Sequence, residues 1–138
     1  MPDVAWNDVT DLDVLVLPGG NTGALIGDAA SLDRLRSLAR AGTLMTSVCT
    51  GALVYGQAGL LDGRPATTHW SALERLAECG RGIRVQADSR FVDDGDVITA
   101  AGVAAGIDMA LHLVERLDST GAARAVRRYI QYDPEPPV

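Results

Sequence analysis

The sequence has 138 residues, 47% of them hydrophobic and 22% charged, which predicts one globular domain over residues 1–138 and excludes a disordered chain. No apolar run approaches the roughly 20 residues of a membrane span, and "MPDVAWNDVT" lacks the basic and apolar regions of a signal peptide, so a cytoplasmic protein is expected. A net charge of −6, with twelve basic residues that are all Arg, argues against nucleic acid and membrane surfaces as partners.

Residues 12–20, "LDVLVLPGG", form a short, continuously apolar run ended by Pro-Gly-Gly, the pattern of a strand buried on both faces of a parallel sheet. "SLDRLRSLARAG" follows with Leu32, Leu35, Leu38 and Ala39 at helical spacing, Ser31 as expected N-cap and Gly42 as the stop. "TLMTSVC" predicts a second buried strand and "TGALVYGQAGLL" the helix after it. "DGRPATTHW" turns at Asp62-Gly63 and predicts a short strand over residues 66–70, followed by a helix in "SALERLAECG" with Ser71 and Glu74 in capping-box spacing. "IRVQADSRFVDDGDVITAAG" then alternates and pivots on Asp94-Gly95, a hairpin signal. "GIDMALHLVERL" and "GAARAVRRYIQY" read as closing helices, and "DPEPPV" as a tail. Strand–helix alternation ending in a hairpin predicts an α/β fold, a mainly parallel sheet with helices on both faces.

Ligands of open α/β sheets bind beyond the carboxyl ends of the strands. Two segments fall there, Pro18-Gly19-Gly20 and Val48-Cys49-Thr50-Gly51-Ala52. A small residue at 51 permits a sharp strand-to-helix turn that exposes Cys49, and the start of a helix favours its thiolate. The Thr50 N–H and a glycine N–H of the 19–20 loop are then candidate oxyanion donors. The competing reading makes Cys49 a small buried hydrophobe. His69, twenty positions on, is a candidate partner for the thiol if its strand lies beside that of Cys49. It is equally well read as a structural histidine beside Trp70. His112 is expected to face solvent, and Cys79, at a helix end, to be structural. The two cysteines lack CxxC spacing or a His/Cys cluster, so neither a disulfide nor zinc is expected. Asp62, Asp93, Asp94, Asp96 and Asp108 occupy turns or a helix start, and none is placed to serve Cys49.

Taken together, "DVLVLPGG", "SVCTGALVYGQAGLLDGRPATTHW" and "DDGDVITAAGVAAGIDMALHLVERL" resemble, in order and spacing, the ThiJ/PfpI family of the class I glutamine-amidotransferase-like superfamily. The resemblance implies a flavodoxin-like three-layer sandwich with a C-terminal hairpin. It implies Cys49 as elbow nucleophile, Thr50 as orienting hydroxyl, His69 nearby, and Gly19, Gly20 and Thr50 around an oxyanion and substrate site. Within the family the motifs are most similar to isonitrile hydratases, which need no cofactor and no metal, and to the sensor domains of AraC-type regulators. A non-catalytic ligand-binding or redox-sensing module is the alternative. The family's β-α-β unit ahead of the "PGG" strand, with its catalytic acid, is not in this sequence. Three readings compete for this difference: a truncated or cleaved chain, a partner chain completing the sheet, or a decayed paralogue that folds as an obligate homodimer.

Overall fold

A computed structural model describes residue 1 and residues 3–135. Its strands are β1 (Val14–Leu17), β2 (Leu44–Val48), β3 (Pro65–Ala66), β4 (Arg84–Val85), β5 (Phe91–Asp93) and β6 (Val97–Ala100). The helices are α1 (Gly23–Ile26), α2 (Ala29–Arg40), α3 (Gly51–Gln57), α4 (Leu73–Glu78), α5 (Ala105–Leu117) and α6 (Thr120–Tyr129). Short 3-10 turns stand at Trp6–Asp8 and Trp70–Ala72. The main sheet has the order β1-β2-β6-β5. β2 lies parallel to both neighbours, with Leu17 opposite Ser47 and Val48 opposite Ala100, and β5 runs antiparallel to β6.

Successive side chains of a strand point to opposite faces, so apolar runs such as "LVL" and "LM" feed two cores. On one face Leu15, Leu17, Met45 and Val97 pack with Leu32, Leu35 and Leu38 of α2, Leu53 and Val54 of α3, and Leu76 of α4. On the other, Leu44, Val48, Ile98 and Ala100 meet Met109 and Leu113 of α5. Each fully buried leucine contributes about 1.5–3 kcal/mol relative to exposure. The result is a three-layer α/β sandwich with a mainly parallel sheet and an antiparallel β5–β6 hairpin, as expected. Among the described residues no helix is long and apolar enough to cross a membrane.

Local expectations needed correction in four places. The strand expected over residues 66–70 ends at Ala66, and β3 pairs with β4 in a separate two-stranded sheet. The alternation that begins at Ile83 is thus split between that small sheet and the hairpin. Helix α2 starts earlier than Ser31: Asp28 is its N-cap and accepts from the Ser31 amide, and the Ser31 hydroxyl donates to the same carboxylate at 2.6 Å. The Ser71–Glu74 capping box does not form, because α4 follows the 3-10 turn and is preceded by Ala72. His112 is half-buried instead of solvent-facing, stacked on Phe91 at 4.8 Å and 2.7 Å from Asp93. Gly42 does end α2 in the left-handed region, at φ 95°. The end of the expected tail, residues 136–138, lies outside the described residues.

Strand β1 is the edge of the sheet, bonded on one side only among the described residues. Its Val16 is 51% exposed, on the face that α5 covers farther along the sheet.

Candidate active site

Cys49 follows directly on β2 and has φ 58°, a left-handed conformation rare for a residue with a Cβ. Such a conformation costs of order 1–3 kcal/mol and persists only where its surroundings impose it. Here they do. The Cys49 amide donates to the carbonyls of Ala100 and Ala101 at 3.1 and 3.2 Å, and the Cys49 carbonyl accepts from the Thr68 hydroxyl at 2.7 Å. A Cβ on Gly51 would lie 2.4 Å from the Leu17 carbonyl oxygen, so α3 approaches the end of β1 only because that residue is glycine. A Cβ on Gly19 would fall 2.7 Å from the Cys49 Cβ and 2.9 Å from the Thr50 amide nitrogen. The "PGG" and "CTG" segments are therefore packed backbone to backbone, with Cys49 at a sharp strand-to-helix turn between β2 and α3.

Thr50 precedes α3, but its hydroxyl does not cap that helix. It reaches across to Gly20, accepting from the Gly20 amide at 2.9 Å and facing the Gly20 carbonyl at 3.2 Å. Of the two expected oxyanion donors, the Gly20 N–H is thus engaged by Thr50, while the Thr50 N–H has no acceptor among the described residues. Gly20 itself has φ 117° and open space where a Cβ would stand.

His69 lies at the same end of the sheet, linked to the elbow through its neighbour Thr68 and not through a shared strand edge. No hydrogen bond joins its ring to the Cys49 thiol among the described residues. Its Nδ1 is 2.8 Å from the Ser71 hydroxyl and accepts from the Ser71 amide at 3.3 Å, so the neutral ring carries its proton on Nε2. The ring lies on Gly102, where a Cβ would fall 2.2 Å from Cδ2 and 3.1 Å from Nε2. Thr68 and Gly102 are the two site residues that local patterns missed. The paired threonines of "TTH" and the glycine of "AAGVAAG" were their only sequence signals.

The carboxylates are engaged elsewhere. Asp62 accepts from the Arg81 amide, Asp94 and Asp96 pair with Arg64, and Asp108 is held by Arg90 and Tyr132. Asp93 joins His112 and Arg116. Cys79 donates to the Leu76 carbonyl and its sulfur fills the space over Gly56, where burial pushes the thiol pKa up. Both cysteines are half-buried; Cys49 stands at the strand-to-helix turn and Cys79 packs against Gly56. Among the described residues no three His, Cys, Asp or Glu side chains gather as a metal-binding group. A groove of about 400 Å³ between α5 and α6, lined by Phe91, His112, Arg124 and Tyr132, contains none of the elbow residues.

A three-layer α/β fold with a strained cysteine elbow against a diglycine loop defines a class of proteins, and comparison with known sequences identifies it. Residues 1–116 match the DJ-1/PfpI family, and the chain belongs to that family. It is 42% identical over 137 residues to the isonitrile hydratase of Pseudomonas putida, covering 99% of this chain and 59% of that protein. It is 30% identical to the HTH-type transcriptional regulator GbdR of Pseudomonas aeruginosa, over 96% of this chain and 36% of the regulator. Among solved structures, a ThiJ/PfpI family protein from Pseudomonas syringae superimposes with a TM-score of 0.82 at 40% identity, covering 93% of this chain and 52% of that one. The chain spans less than two-thirds of the length of each of these relatives.

Proposed function

We propose that the chain is a cytoplasmic, cysteine-dependent enzyme of the hydratase type, converting an isonitrile and water to an N-substituted formamide. The observation that carries this reading is the Cys49 elbow at φ 58°, in a chain 42% identical to an isonitrile hydratase. The Cys49 thiolate adds to the terminal isonitrile carbon, and the proton that the thiol gave up is delivered to the same carbon, giving the thioimidate R–N=CH–S–Cys49. Water adds to that carbon, and the Thr50 N–H stabilises the oxygen as charge develops on it. One proton of the water goes to the nitrogen; the C–S bond then breaks as the remaining hydroxyl proton passes to sulfur, restoring the Cys49 thiol and releasing R–NH–CHO. Thr50, through its hydroxyl, holds the Gly19–Gly20 loop against the elbow, and His69 is the imidazole proposed to relay protons at this end of the sheet. The test is to incubate the purified chain with an aliphatic isonitrile and measure the formamide by mass spectrometry. Wild type forms it and Cys49→Ala does not; no product from folded wild type overturns the reading.

One observation favours a second reading, a non-catalytic ligand-binding or redox-responsive module. The Gly20 N–H, a donor that acyl-type chemistry would use, is already bonded to Thr50. The similarity to a transcriptional regulator points the same way. Peroxide treatment followed by intact-mass analysis tests it: the redox form requires Cys49 to gain oxygen before Cys79 does. We also propose that a second polypeptide, another copy or a partner chain, adds a strand to the open edge of β1, where Val16 is exposed.

A further inference from the structure

We propose that the groove between α5 and α6 binds a small aromatic monocarboxylate, at a site separate from Cys49 and independent of the chemistry proposed there. The groove, of about 400 Å³, has the volume of a small-molecule site. Its wall is aromatic. Phe91 of β5 is stacked on His112 of α5 with 4.8 Å between ring centroids, and Tyr132 joins them from the segment after α6.

Tyr132 is fixed in place by the fold. Gln131 takes φ 53°, in the left-handed region, and so turns the chain back on α6. The Tyr132 amide then donates to the Arg127 carbonyl at 3.1 Å, and Arg127 Nε donates to the Tyr132 carbonyl at 3.1 Å. The Tyr132 hydroxyl donates to Asp108 of α5 at 3.1 Å and accepts from Arg90 at 3.4 Å. A wall held at both backbone and hydroxyl needs little ordering when a ligand arrives.

The charges along the groove select the ligand. α6 carries Arg124, Arg127 and Arg128 and no acid, in a chain of net charge −6. Arg127 and Arg128 stand in its last turn, where the helix dipole favours cations. Arg124 lies earlier, lines the groove, and pairs with no carboxylate among the described residues. Two acids also line it. Asp108 is held by Arg90 and Tyr132, and Glu115 accepts from the Thr120 hydroxyl at 2.8 Å. Asp108 and Glu115 balance Arg124 and Arg127, and Arg90 leaves a single positive charge in surplus. A monoanion matches that surplus, whereas a phosphate would set a second negative charge near Glu115. A guanidinium fork receives a carboxylate through two parallel N–H···O bonds, and an attached aryl group covers Phe91 and Tyr132.

Fluorine NMR of the full chain with 4-fluorobenzoate tests the site, with 4-fluorobenzamide as its uncharged counterpart. Wild type is expected to bind the benzoate saturably, one to one, and at least about tenfold more tightly than the benzamide. Arg124→Gln, at an exposed position that the fold does not depend on, weakens benzoate binding about tenfold and leaves the benzamide unchanged. Arg40→Gln, on the exposed surface of α2, changes neither. Alkylation of Cys49 leaves both affinities as they were. A benzoate shift that does not saturate, equal affinity for the two probes, or wild-type affinity in Arg124→Gln overturns the site. So does displacement of the benzoate by equimolar inorganic phosphate, or loss of its binding on alkylation of Cys49.

Discussion

Glycine 51 shows how tightly the elbow depends on single atoms. With a Cβ 2.4 Å from the Leu17 carbonyl and 3.0 Å from that of Pro18, Gly51→Ala forces α3 away from β1. A loss of about 1–3 kcal/mol is expected, read from urea unfolding. Gly102→Ala acts on a side chain instead. Its methyl displaces the His69 ring, which should change Cys49 labelling rates more than the unfolding midpoint, measured on the same sample. At this scale the sequence was informative where chemistry is local. "PGG" and "CTG" announce backbone close approach through their residue types. The Thr68 bond to the Cys49 carbonyl was not legible, because it joins residues nineteen apart whose proximity only the folded chain creates. Nor was the occupation of the Gly20 amide by Thr50.

Between elements, Asp93 ties the β5–β6 hairpin to α5. Burial alone would raise its carboxyl pKa, but hydrogen bonds from His112 and the Gly95 amide and the charge of Arg116 hold it below the usual range. A carboxyl whose pKa is lower folded than unfolded contributes stability above its unfolded value, near pH 4, and loses it as pH falls through the folded value. Asp93→Asn is therefore expected to cost about 1 kcal/mol near neutrality and to flatten the fall in thermal midpoint below pH 4. An acid limb identical to wild type would contradict the tie. Helical spacing alone put His112 toward solvent, since Ile107, Leu111 and Val114 define a plausible inner face. That reasoning could not see Phe91 and Asp93 arriving from the hairpin. The same limit explains strand β3: β-prone residues run to Trp70, but the register with β4 ends at Ala66.

At the scale of the whole molecule, alternation of apolar runs with helical patterns was enough to give the layered α/β fold, because buried parallel strands and their covering helices leave distinct periods. What the patterns left open is how the edge of the sheet is covered. An edge strand with exposed Val16 should pair when concentrated. Sedimentation velocity is expected to show association that Val16→Lys weakens, and a monomer at every concentration would contradict the proposed partner strand. The account turns on one thiol being set apart from the other by the fold. Peptide-resolved alkylation by limiting iodoacetamide at neutral pH measures this directly. Cys49, at the strand-to-helix turn, should be modified at least about tenfold faster than Cys79, whose pKa is raised by burial. Equal rates, or faster modification of Cys79, would contradict the assignment of Cys49 as the reacting group.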